Sequence, residues 1–221
     1  MGHKPILDSK IHPIYIVTIL YIVFSIFLGL ILKDSLVVFL GWNLSLALFV
    51  FLIKDIFIYA HKRHAKKGVL FIILGLYVLF FPNTIYVLTD FIHFQNYAFF
   101  ENYPSVYVYE LSNWFVFAHI LIGALLSVKL GIQSIIDLKP TIEGISKKGF
   151  HIGIHLLFLL SSIAIFIGRF LRFNSWQILS IFRILGELFG HGLFALGFIV
   201  MFYIIHWGCY FLWMYQSNRQ V

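Results

Sequence analysis

The fold class this sequence predicts is an all-α integral membrane bundle, and three observations carry it. Of the 221 residues, 61% are hydrophobic and only 11% charged, whereas a soluble domain carries about 25% charged residues. The mean hydropathy of +0.94 implies more apolar surface than one core of this length hides from water. The apolar residues also fall in six long runs, each near the roughly 20 residues a membrane span requires. These runs lack the period-two alternation of barrel strands, so the spans are read as helices. Soluble-enzyme, disordered and nucleic-acid-binding classes are excluded together.

Taken in order, the predicted spans cover residues 13–32, 35–60, 68–91, 105–131, 150–170 and 190–215 of one transmembrane domain, 1–221. The segment before the first is mostly polar and lacks a small-residue cleavage pattern, so that span is expected to stay as an anchor. The second begins just after Asp34 and ends at the basic loop H-K-R-H-A-K-K. The third carries Pro82, which removes a backbone donor and is expected to kink the helix, leaving carbonyls free to face a cavity. The fourth and fifth flank a loop containing Lys139, Lys147 and Lys148. An amphipathic insert at 175–188 precedes the sixth and is expected to lie at the interface. The single cysteine, Cys209, excludes a disulfide framework.

Charge sets the orientation. Lys4, Lys10, Lys62, Arg63, Lys66, Lys67, Lys129, Lys139, Lys147, Lys148 and Arg219 fall on one side, and Lys54 joins them if it snorkels. The other side has Lys33, Arg169, Arg172 and Arg183. The positive-inside rule then places both termini in the cytoplasm, with 93–104 outside.

Charges within spans are costly and need a reason. Asn83, Tyr86, Asp90 and His93 stand at i, i+3, i+7 and i+10. On an α-helix these directions fall within about 80°, forming one polar stripe. Such a stripe is either a helix–helix seam or the lining of a site. Arg169 and Arg172 lie at the outer end of the fifth span, where the orientation rule disfavours arginine. Asp90 or Glu110 could pair with them, an anion could occupy their fork, or they could snorkel to lipid phosphates. Asn174 offers a capping group beside them.

Histidines number ten. His151 and His155, at i and i+4, have a spacing that can bind zinc. His119 and His206 fall near mid-membrane, where a neutral histidine bonded across helices is the commoner outcome. A set drawn from Asp90, His93, Glu110, Glu187 and His191 has donors that suit zinc or manganese. Neither a cofactor nor a metal is specified by any motif. G-x-S-x-G, the phosphate-cradling loop and C-x-x-C are all absent from the sequence.

Three segments carry a family resemblance: G-W-N-L-S-L-A at 41–47, F-P-N-T-I-Y-V-L-T-D-F-I-H at 81–93, and G-R-F-L-R-F-N-S-W at 168–176. Through them the chain resembles an uncharacterised family of small bacterial multi-pass membrane proteins, known only as a domain of unknown function. The similarity runs from the second span onward. Members often have L-P-N-A-P-Y and R-W-N-S-W, where Phe81, Thr84, Ile85 and Phe173 stand here. The resemblance implies a membrane class and a candidate face, and no reaction.

Three functions remain open from the sequence. The first is binding or translocation of an anionic lipid or small anion by an outer cleft of Asn83, Tyr86, Asp90, His93, Glu110, Arg169, Arg172 and Asn174. The second is a metal-dependent hydrolase or transferase, and the third an accessory subunit without a catalytic site. The expected partners are membrane lipids and either a second copy, as a translocator of this size would need, or a partner membrane protein, and no nucleic acid.

Overall fold

A computed structural model describes residues 12–101, 106–171, 190 and 192–217. The chain is an all-α bundle in which six helices are long and apolar enough to cross a membrane. They begin with α1 (Pro13–Leu32) and α2 (Ser35–Lys62), joined by a two-residue turn. Lys33 takes a left-handed conformation at φ 52 and closes α1, while Asp34 caps α2 by accepting from Leu36 N at 2.9 Å. The turn is tight enough that a Cβ on Gly29 would stand 2.8 Å from Val38 N, so glycine is required there.

The third crossing is not one α-helix. It runs as α3 (Lys67–Phe80), a turn at Phe81 and Pro82, a single turn α4 (Asn83–Tyr86), and a 3₁₀ segment, Val87–Asn96. Pro82 breaks the helix as expected, and the side chains just after it bond backbone carbonyls just before it. Asn83 Nδ2 donates to Phe80 O at 2.8 Å, and Thr84 Oγ1 donates to Phe81 O at 2.8 Å. Such local side-chain-to-backbone bonds compete with the helical ladder and fix the break in place.

A short antiparallel ribbon, Phe100–Glu101 with Val106–Tyr107, leads toward α5 (Leu111–Ile145). The predicted span 105–131 is corrected here at both ends. At 35 residues, α5 is about 52 Å long, well beyond the bilayer core. Lys129, Gln133 and Asp137 hold the extension: Lys129 Nζ donates to Gln133 Oε1 at 3.1 Å, and Gln133 Nε2 to Asp137 Oδ1 at 2.8 Å. Such i, i+4 bonds support a helix through a polar stretch. Ser146 alone separates α5 from α6 (Lys147–Phe166), which it caps by accepting from Gly149 N at 2.9 Å. A π-helical turn, Ile167–Leu171, ends that crossing, and α7 (Gly192–Ser217) is the last. The insert at 175–188 lies outside the described residues.

Helices α2 and α5 form the spine, with 50% and 56% of their spanning windows buried inside the bundle against 28% for α1 and 17% for α7. One apolar cluster joins α1, α2 and α5 around Leu40, Leu44 and Ile120. The other joins α2, α3, α5, α6 and α7 around Phe81, Ile132 and Phe158. Outward faces stay apolar: Phe71 is 78% exposed and Leu30 68%. In water this would be an aggregation surface, whereas in a bilayer it meets acyl chains.

Lys54 does not snorkel. Its Nζ lies 2.7 Å from Asp55 Oδ1, 2.8 Å from Asp137 Oδ2 and 3.7 Å from the centre of the Phe51 ring. The Tyr15 hydroxyl donates to the other oxygen of Asp55. Two carboxylates therefore hold the ammonium inside the bundle, and the lysine cannot count toward the surface charge.

Candidate functional site

A buried polar constellation centres on Arg169. The π-helical turn at the end of α6 aims this side chain across the bundle at the 3₁₀ segment. Its Nη2 lies 3.2 Å from Asp90 Oδ1 and also donates to the Thr89 carbonyl. Its Nη1 reaches His93 Nε2 at 3.4 Å, and its Cζ sits 5.4 Å from the centre of the Tyr86 ring. A guanidinium has only donors, so His93 Nε2 is the acceptor and the imidazole proton is on Nδ1. The other oxygen of Asp90 accepts from Asn43 Nδ2 at 2.9 Å. Asp90 is 1% exposed, and the Arg169 side chain 14%. One nitrogen is left over: Arg169 Nε is buried and has no hydrogen-bond partner among the described residues.

Three backbones converge here, from α2, the 3₁₀ segment and the π-helical turn. The 3₁₀ geometry is what brings Asp90 and His93 to one face, because positions i and i+3 eclipse at three residues per turn. The α-helical stripe predicted from spacing is thus corrected: Asn83 leaves it to bond the Phe80 carbonyl. Glu110 is also elsewhere, exposed and accepting from Ser112 Oγ at 2.9 Å. Arg172, Asn174, Glu187 and His191 lie outside the described residues. Asn43 and Thr89 were missed by the site prediction. The signal for Asn43 was its place as a lone amide within the apolar G-W-N-L-S-L-A segment.

Tight docking of α4 against α5 positions the site from below. Ser127 Oγ donates to Thr84 O at 2.9 Å, and a Cβ on Gly131 would fall 2.4 Å from Thr84 Oγ1. Toward the same end, the Tyr97 hydroxyl donates to Asp34 Oδ2 at 2.6 Å. Burial first, then that carboxylate, push the Tyr97 phenol above its ordinary range.

The membrane histidines form separate structural contacts. Ser25 Oγ gives its proton to Val37 O at 2.7 Å, so His119 Nε2, 3.0 Å away, donates to that oxygen. His206 Nδ1 donates to Phe202 O at 2.7 Å, which makes its Nε2 an acceptor for Ser161 Oγ at 2.8 Å. His155 bonds the Tyr203 hydroxyl at 2.6 Å. Among the described residues no three His, Cys, Asp or Glu side chains gather closely enough to hold a metal ion.

Compared with known families, residues 42–209 match the one described as "Protein of unknown function (DUF1361)". The chain belongs to this family. No curated protein and no solved structure matches it. All the described residues of the Arg169 cluster fall inside the DUF1361 region, whereas α1 falls outside it. The family region thus holds the site as a unit. This DUF1361 chain is a multi-pass helical membrane protein.

Proposed function

We propose that this protein binds an anionic oxygen group, a lipid phosphate or a small free anion, at Arg169. The observation that supports this is the buried Nε of the Arg169 guanidinium, which has no hydrogen-bond partner among the described residues. An incoming anion finds a free donor there and contends with Asp90 for Nη2, while Asn43 holds the displaced carboxylate. Binding is therefore coupled to loosening of the Asp90 contact. The basic loops face the cytoplasm of a bacterial inner membrane, so Arg169 opens to the outer side.

The test is thermal unfolding of the purified chain with phosphatidylglycerol, with inorganic phosphate, or with phosphatidylcholine. Stabilisation by phosphatidylglycerol alone identifies a lipid ligand, and stabilisation by phosphate alone a small anion. Arg169→Lys should lose the effect, because an ammonium is a point charge and not a planar fork. Asp90→Asn should enlarge it by removing the competing charge. No stabilisation of folded wild-type protein by either anion overturns the proposal. Cysteines at Lys66 and Asn96 test the orientation: labelling from one and the same side of intact cells would refute it.

A second reading has its own support. Asp90, the Thr89 carbonyl and His93 already occupy both terminal nitrogens of Arg169. In that case the cluster is a clasp between crossings in an accessory subunit, and substitutions alter stability with no dependence on anions.

A further inference from the structure

At the end of the bundle opposite Arg169, α3, α5 and α6 do not close on one another. They leave a groove with a cavity volume of ≈ 160 Å³, walled by Leu74, Leu138 and Ile142 and floored by Phe150. Gly149 and Gly153, one turn apart on α6, keep it open on the lipid-facing side. Apart from its own stretch of helix, no heavy atom among the described residues lies within 4 Å of where a Cβ on Gly153 would stand. From Gly149 to Leu157 the groove follows α6 for about 12 Å, running from the end of the bundle into its apolar zone.

Its rim is basic. Lys139 Nζ stands 6.0 Å from the centre of the Phe150 ring, and exposed Lys147 and Lys148 immediately precede Gly149. Exposed Lys66 and Lys67 open α3 at the same end of the bundle. On the acidic side, Asp137 is already paired with Lys54, and Glu143 is half-buried. An apolar trough beneath surplus positive charge complements a molecule with an apolar chain and an anionic head.

We propose that this groove holds one acyl chain of an anionic phospholipid from the leaflet at the basic end, with its phosphate among Lys139, Lys147 and Lys148. The site is separate from the Arg169 cluster and stands whether or not that cluster binds a ligand.

The experiment is lipid retention by the full-length protein in mild detergent, read by native mass spectrometry. The probes are phosphatidylglycerol and phosphatidylcholine with identical chains. Wild type should retain phosphatidylglycerol more than tenfold over phosphatidylcholine, since each lysine near a headgroup contributes about fivefold. Replacing Lys147 and Lys148 with Gln should lower the preference by about that factor per lysine and leave phosphatidylcholine retention alone. Gly153→Leu fills the trough and should reduce retention of both lipids, whereas Gly197→Leu on the open face of α7 should not. If Gly153→Leu lowers folded yield, Leu74→Trp fills the same trough from α3. The losses caused by the Lys147 and Lys148 replacements and by Gly153→Leu should appear equally in an Arg169→Lys background, which separates this site from the Arg169 proposal. Equal retention of the two lipids by wild type, or unchanged retention when the trough is filled, overturns the proposal.

Discussion

Replacing Arg169 with methionine, Asp90 with asparagine, and both together measures how much the buried pair ties the crossings together. Asp90 is 1% exposed and keeps only Asn43 once Arg169 is gone. A charge stranded in this way costs about 3–5 kcal/mol. Asp90→Asn leaves a guanidinium that still bonds the Thr89 carbonyl and His93 and is 14% exposed. That loss should be smaller, about 2–3 kcal/mol, because an amide oxygen still accepts from Nη2. The double variant strands neither charge. It should therefore be more stable than the sum of the two losses by about 2 kcal/mol, within the range for residues in direct contact. Urea unfolding in detergent, followed by tryptophan fluorescence, provides the numbers. Additivity within about 0.5 kcal/mol would show that Arg169 and Asp90 do not act as a pair, and would refute the clasp and the competition argument alike.

Other positions carry sharper geometric expectations. Gly131→Ala places a methyl 2.4 Å from Thr84 Oγ1 and should cost about 1–3 kcal/mol by overpacking; Thr84→Ala in the same chain should recover part of it, and no recovery would count against a direct clash. Ser161→Ala removes the donor facing buried His206, at about 1–3 kcal/mol for the unsatisfied nitrogen, with Ser161→Thr expected to retain the bond. Lys54→Met separates Asp55 and Asp137 from their shared cation; since Asp55 is 48% exposed and Asp137 26%, solvent screening should keep the loss to about 1–2 kcal/mol, and a neutral result in the melt would mean that the network is decorative.

Much of the helix layout is legible because bilayer thickness makes it a question of length and apolarity. The predicted 13–32 is also the observed α1, and each of the six runs has a helical crossing. The failures occur where contacts between helices override local pattern. Nothing in the spacing of Asp90 and His93 says that the backbone has tightened to 3₁₀. They share a face all the same, because i and i+3 coincide better at three residues per turn than at 3.6. Asn83 has the right period, but the carbonyl exposed three residues back is a nearer partner. Asn43 is 47 residues from Asp90, and a lone amide in an apolar run gives no hint of what it faces. The length of α5 is hidden because Lys129 and Lys139 read as the end of a span and its loop, although Gln133 links Lys129 to Asp137 along one helix face.

Where the backbone is irregular bears on how the site works. Two departures from α-helix, the 3₁₀ segment Val87–Asn96 and the π-helical turn Ile167–Leu171, meet through Arg169. Non-helical backbone at membrane depth survives only when it is buried in protein or lines a cavity, since lipid offers no hydrogen bonds. The Thr89 carbonyl illustrates the exchange: it accepts from the Arg169 side chain, one crossing away. The arginine is thus both the charge partner of Asp90 and a hydrogen-bond donor to the altered backbone beside it. Any anion that draws the guanidinium away also withdraws that support from the 3₁₀ segment. Occupancy at Arg169 and the conformation of residues 87–96 are then linked variables, and hydrogen exchange at Thr89 to His93 should rise with phosphatidylglycerol or phosphate in wild type and stay level in Arg169→Lys. A ligand that stabilises the protein while leaving exchange in that segment unchanged would have to bind elsewhere.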